Sequence, residues 1–256
     1  MSHFAATTLR CALHHFETAW LFTRSDFKTT IFPVMIFATV VSPRHSPLGL
    51  SCALCWLWFH LFQFNASNQS YSADEDVLNK PWRPVAAVYT VFMVMHDDVH
   101  LGHHPIFKNL CNAGGYMTSE LGSLLILSRE FSLDGTSIKA LFCSGLVILL
   151  TIHAQDFADV DGDRMSGRRT LPIITPKGSR IYMLCVLPLF SFALASFWSL
   201  GPLSTVLFVF MGSWVGIRYF IFRDEICDQS TYRLYNIWLI GVHLLPANVR
   251  FCALAW

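Results

Sequence analysis

An all-α, polytopic membrane helix bundle is the fold class that this sequence predicts, and three observations predict it. Of 256 residues, 54% are hydrophobic and only 14% charged, where a soluble domain carries about 25% charged residues. The mean hydropathy is +0.46, and 22 Phe and 8 Trp enrich the apolar fraction further. The apolar residues also fall into runs near the roughly 20 residues that a bilayer-spanning helix needs. A net charge of +1 offers no field to attract nucleic acid; the expected partner is the lipid bilayer.

In chain order the candidate spans are 29–43 (extended back through Trp20), 47–66, 106–128, 138–154, 181–200, 203–222 and 236–253. The run 84–95, PVAAVYTVFMVM, is about half a span long and reads as a half-helix or re-entrant piece. The whole of 1–256 reads as a single transmembrane domain. Its first 15 residues lack the apolar h-region of a secretory signal. Asp26 and Lys28 mark the interfacial start of the first helix. Cys52 and Cys55 form a CxxC inside the apolar run SCALCWLWFHLF, which predicts buried free thiols in place of a zinc or redox pair. Gly114 and Gly115 suit close helix packing. Glu120 lies mid-span, where an acid is costly and marks a functional candidate by default; Asn112 and Tyr116 share its helix face, so a hydrogen-bonded helix contact competes. The segment MHDDVHLGHH at 95–104 is rich in His and Asp but lacks a metal-binding spacing such as HExxH and reads as a polar loop.

Two acidic segments interrupt this pattern. The first, NQSYSADEDVLNKPWRP at 68–84, holds Asp74, Glu75 and Asp76 ahead of Lys80 and Arg83. The second, DFADVDGDRMSGRRTLP at 156–172, holds Asp156, Asp159, Asp161 and Asp163 ahead of Arg164, Arg168 and Arg169. Lysine and arginine placement puts both on the cytosolic face if the N-terminus is cytosolic and 84–95 does not span. Lys108 is assigned to neither side. The i, i+3, i+7 spacing of Asp156, Asp159 and Asp163 aligns three carboxylates on one helix face. Like charges that close repel unless a cation sits among them. Hard oxygen donors favour Mg2+, which is commonly completed by substrate phosphate, and arginine supplies phosphate contacts that carboxylates cannot. Two such segments on one face describe a site for a metal-bound diphosphate, with an apolar interior for its tail.

These residues resemble the UbiA superfamily of intramembrane prenyltransferases. That superfamily's second motif, DxxDxxxD followed by GRxTLP, is present as Asp156, Asp159, Asp163, Gly167, Arg168, Thr170, Leu171 and Pro172. Its first, NDxxDxxxD followed by KPxRP, is matched at Asn68, Asp76, Lys80, Pro81, Arg83 and Pro84 and departs at Gln69 and Ser72; Glu75 lies where it could compensate. WLFTRSDFKT at 20–29 and YRLYNIWL at 232–239 resemble a fungal branch that includes membrane-bound sesquiterpene cyclases.

The resemblance implies a UbiA-like bundle around a central cavity, Mg2+ as cofactor and a prenyl diphosphate as substrate. It implies Asp76, Asp156, Asp159 and Asp163 as the catalytic carboxylates, with Asn68 and Glu75 as further metal ligands. Lys80, Arg83 and Arg168 would hold the diphosphate, with Tyr116, Glu120 and Phe157 toward the substrate. Trp20, Phe22, Tyr235 and Trp238 are further candidates for a wall of aromatic faces that stabilises an allylic cation. The implied reaction is intramolecular terpene cyclisation of a sesquiterpene-length diphosphate in the membrane of the endoplasmic reticulum. Transfer of the prenyl group to an aromatic or polyketide acceptor is the alternative. Seven full spans and a half-span fall short of the nine helices the resemblance implies, with the shortage near 83–96, so a shortened, non-catalytic membrane protein is the rival of another class.

Overall fold

The structure, a computed structural model, describes residues 20, 23–24, 26–43, 46–69, 83–96, 99, 101–128 and 133–256; for 65–69 and 83–87 it describes the backbone alone. The described residues contain helices and turns and no strand. Helix α1 (Phe27–Val41) opens with a π-helical turn. It is followed by α2 (Pro47–Gln69), α3 (Arg83–His96), α4 (Pro105–Ser128) and α5 (Gly135–Thr151). The chain then tightens into a 3-10 segment (Ile152–Asp159) before α6 (Val160–Met165) and α7 (Leu171–Ile174). The longer α8 (Pro176–Phe197), α9 (Pro202–Ile221) and α10 (Glu225–Leu244) precede a short α11 (Ala247–Phe251).

Among the described residues, four helical runs are long and apolar enough to cross a membrane: Pro47–Phe64, Gly135–Met165, Pro176–Phe197 and Pro202–Ile221. Their large apolar side chains, among them Phe142, Leu146, Leu189, Phe192 and Phe210, lie on the outer surface. That arrangement is costly in water and natural in hydrocarbon. The protein is an integral membrane protein. Helices α4 and α10 have the length of a span, but Lys108, Asn109, Asn112 and Glu120 on α4, and Asp228 and Asn236 on α10, turn their polarity inward. Around the bundle α1 packs on α4, α4 on α5, α5 on α8, α8 on α9, α9 on α10, and α10 returns to α1. Helices α2 and α3 flank α4.

Three expectations need correction. The last span begins at Glu225 and not at 236. Asp224 caps it by accepting a hydrogen bond from the Cys227 backbone N–H at 2.9 Å, and the polar residues Asp228, Thr231 and Asn236 face the core, so a hydropathy reading sees only its second half. The first helix, Phe27–Val41, is shorter than a full span. Cys52 and Cys55 are free, as expected, but exposed on the outer face. Gly114 does take a close packing partner: a Cβ there would meet the Phe92 ring of α3.

The bundle is laced at the end where α5 begins. Arg250 donates to the Val41 carbonyl at the close of α1 (2.7 Å) and pairs with Asp134, the N-cap of α5 (2.6 Å). Asn248 donates to the carbonyls of Trp198 and Ser199 in the α8–α9 turn. The backbone N–H groups of Gly201 and Ser204 reach the carbonyls of Leu254 and Trp256. The Arg250 guanidinium holds the Asp134 carboxyl well below the usual carboxylate range, at about 2.

Candidate active site

Chain geometry brings the second acidic segment to the opposite end of α5. Beyond Thr151 the helix narrows to three residues per turn, so residues three apart eclipse and Asp156 and Asp159 fall on one line. Gly162 lies against the Asp159 carboxylate, in space that a Cβ would fill. Gly167 has φ +73°, a conformation that side chains strain. It reverses the chain so that the Arg168 backbone N–H donates to the Asp163 carbonyl at 2.9 Å, and the Arg169 N–H donates to the His103 carbonyl at 3.0 Å. The segment is thereby tied to the chain just ahead of α4. Behind it Phe157 packs on Tyr219, with ring centroids 4.9 Å apart, and lies under the Arg180 guanidinium at 4.7 Å. Arg180 is in turn fixed by Asp228 (2.6 Å) and the Tyr219 carbonyl (2.7 Å).

A cavity of about 540 Å³ adjoins this segment, within the range of small-molecule sites. Asp26, Lys108, Gln155, Asp156, Asp159 and Arg168 give it a charged and polar portion. Leu61, Phe64, Tyr89, Phe92, Met93 and Tyr116 are among its apolar and aromatic lining. Lys108, Asn112, Tyr116 and Ser119 run down one side, a stripe at helical spacing on α4 that descends from the carboxylates. The Tyr116 hydroxyl donates to the Thr29 carbonyl at 2.8 Å, fixing its ring against α1.

Asp156, Asp159, Arg168 and Tyr116 thus lie together around one cavity. Asp163 is buried and joins them through two cations: Lys108 Nζ lies 2.7 Å from Asp156 Oδ1 and 3.4 Å from Asp163 Oδ2, and Arg168 Nη1 lies 3.4 Å from Asp163 Oδ1. Two expected substrate residues lie elsewhere. Phe157 faces Tyr219 and Arg180, away from the cavity lining. Glu120 is sealed in the core, accepting from the Ser144 hydroxyl and lying 3.2 Å from His243 Nε2. Tyr235 and Trp238 are likewise core residues, bonded to Thr151 and Ser191, and Trp20 is exposed. Of the expected aromatics Tyr116 does line the cavity, and Phe64, Tyr89, Phe92 and Tyr232 join it there. Glu75, Asp76, Lys80 and Phe22 lie outside the described residues, as do the side chains of Asn68 and Arg83.

Sequence reasoning missed Lys108 and the contribution of α3. The signal for Lys108 was present: it precedes Asn112 and Tyr116 at four-residue steps on one face. Helix α3, read as a half-span, supplies Tyr89, Phe92, Met93 and His96 to the cavity.

The donors suit a hard divalent cation in kind. Asp156 and Asp163 already converge on one ammonium, and carboxylate oxygens are the donors Mg2+ prefers. Among the described residues no three His, Cys, Asp or Glu side chains gather closely enough to hold a metal ion.

The sequence profile of the UbiA prenyltransferase family matches residues 85–240, more than half of the chain and all of the second acidic segment. The chain belongs to the UbiA prenyltransferase family. As a UbiA-type protein it is an enzyme of the cyclase or prenyltransferase kind. It is 26% identical to a fumagillin beta-trans-bergamotene synthase of Aspergillus fumigatus, over 91% of this chain and 93% of that one. It is 22% identical to a somaliensene A/B synthase of Streptomyces somaliensis, over 91% and 92%. A polyprenyl transferase of Hericium erinaceus is 27% identical, over 87% and 91%. No solved structure matches.

Proposed function

We propose that this UbiA-type protein is a Mg2+-dependent enzyme that ionises a prenyl diphosphate, and that it cyclises farnesyl diphosphate to a terpene. One observation carries the reading: Asp156, Asp159 and Arg168 of the second acidic segment, with Lys108 of α4, gather on a cavity that is polar on this side and lined on the other by Leu61, Phe64, Tyr89, Phe92 and Met93. Asp156, Asp159 and Asp163, with Asn68, Glu75 and Asp76 of the first segment, are the metal-holding groups. When bound, the metal neutralises charge developing on the departing diphosphate. Arg168, with Lys80 and Arg83, orients the diphosphate through its fixed fork of donors. Tyr116, Tyr89 and Phe92 present ring faces that stabilise an allylic cation. Both acidic segments face the cytosol, in the endoplasmic reticulum membrane.

The similarity to a polyprenyl transferase supports a second reading, transfer of the prenyl group to an acceptor. Membranes carrying the protein, given labelled farnesyl diphosphate and Mg2+, separate the two. A cyclase releases diphosphate and a hydrocarbon with no acceptor added, whereas a transferase is silent until one is supplied. Silence with every chain length and acceptor would favour a shortened, non-catalytic protein.

A further inference from the structure

Lys108 sits where two of the proposed metal-holding carboxylates converge. Its side chain is 7% exposed, those of Asp156 and Asp163 are 3% and 1% exposed, and its ammonium bridges the pair. Arg168 adds a second positive charge on the Asp163 side. The Asp156–Asp163 pair is therefore already neutralised by the chain's own side chains. Removing water from a charge is tolerated only when it is paired and hydrogen-bonded, and here the pairing is internal.

We propose that Lys108 is a built-in counter-cation: it holds these carboxylates together and keeps a divalent metal out until a diphosphate arrives to take up its charge. Asp156 Oδ1 lies 2.7 Å from the Lys108 ammonium, and a metal ligand must approach Mg2+ to roughly 2.1 Å. A dication held by the same oxygens lies within a few ångströms of the ammonium, and at an effective dielectric of about 20 that repulsion weakens metal binding by ~tenfold or more. A diphosphate relieves it by giving the ammonium a new anionic partner. Metal and diphosphate then favour each other's binding reciprocally, and the bare cavity does not fill with metal. Lys108 is a positioning residue for the carboxylates and, with ligand present, a phosphate partner. The identity of the anion rests on the function proposed above.

The test is metal binding without substrate, free of any turnover assay. The full chain is purified in detergent micelles and titrated with Mn2+ alone, with free Mn2+ followed by electron paramagnetic resonance. Lys108→Met is expected to bind Mn2+ at least ~tenfold more tightly than the wild type, and Lys108→Arg, which keeps the charge, to stay near the wild-type affinity. A merely structural lysine would not raise metal affinity when removed. Should Lys108→Met fail to fold, Lys108→Gln, uncharged but still able to donate a hydrogen bond, carries the same expectation. Equal affinity in the wild type and the neutral variant overturns the proposal, and if the enzyme is active the proposed function still stands. The expected affinity pattern in a protein that releases no diphosphate retires that function and leaves the role of Lys108 intact.

Discussion

Helix α4 buries one lysine and one glutamate three turns apart, and they live in different worlds. Lys108 meets Asp156 and Asp163 and lines the cavity. Glu120 meets Ser144 and His243 and has no access to it. Each is costly to bury and each is offset by partners from other helices. The difference teaches that a buried charge in a membrane bundle marks a site only where several charged groups from different elements converge on open space. Glu120 satisfies the usual reason for suspicion and still reads as a tie between α4, α5 and α10.

The comparison can be broken from either end. Asp159→Ala should lower turnover by about a hundred- to a thousandfold, the scale of losing one electrostatic stabiliser of developing charge, with little change in thermal unfolding. Near-normal turnover would remove Asp159 from the metal site. Glu120→Ala should do the reverse. It leaves His243 and Ser144 without their buried partner and should cost on the order of 3 kcal/mol of stability, seen as a lower melting temperature in detergent, while turnover per folded molecule falls far less than for Asp159→Ala. The opposite ranking of the two variants would mean that Glu120 reaches the substrate. Gly162→Ala is subtler. Alanine favours the helix by roughly 0.5–1 kcal/mol, yet its Cβ occupies the space of the Asp159 carboxylate. A loss of turnover of about tenfold without loss of stability is expected, comparable to disturbing the shell around a metal ligand; unchanged turnover would show that Asp159 has room to move.

The smallest expected effect lies at the far end of α5. The Asp134 carboxyl is held at about 2 by Arg250, from an ordinary value of 3.8. Its contribution to stability is complete above about pH 4 and fades as pH falls toward 2. Asp134 is partly exposed, so screening keeps the effect small. Unfolding curves between pH 5 and 2.5 for the wild type and Asp134→Asn check it: the gap between them should close on acidification, and a constant gap would count against the pairing.

Much of the bundle was legible because hydropathy runs record lipid contact directly. The spans at 47–66, 106–128, 138–154, 181–200 and 203–222 all correspond to helices within a few residues. The last span was misplaced for the reason that makes α10 useful: Asp228, Thr231 and Asn236 are polar on its inward face, and a window average cannot see a face. The second acidic segment was legible because spacing survives in sequence, and Asp156, Asp159 and Arg168 do meet around one cavity. Partners supplied from afar were not. Lys108 shares a readable face with Asn112 and Tyr116, but it lies 48 residues from Asp156 in the chain, and nothing local announces which carboxylates it meets. Apart from Tyr116, the aromatic lining failed likewise, because Tyr235 and Trp238 differ from Tyr232 only in the direction they face along one helix.

The cross-links made by Arg250, Asn248 and the backbone groups of Gly201 and Ser204 gather the ends of three helical hairpins at one pole of the molecule. A bundle stitched at its base behaves like a purse: its depth is set from below, while the rim where the carboxylates stand has ties of its own, from Lys108 and Arg180. Cutting one stitch, as in Arg250→Ala, would loosen the pouch from beneath and let its contents shift depth, so that product distribution, more than rate, becomes the quantity to watch.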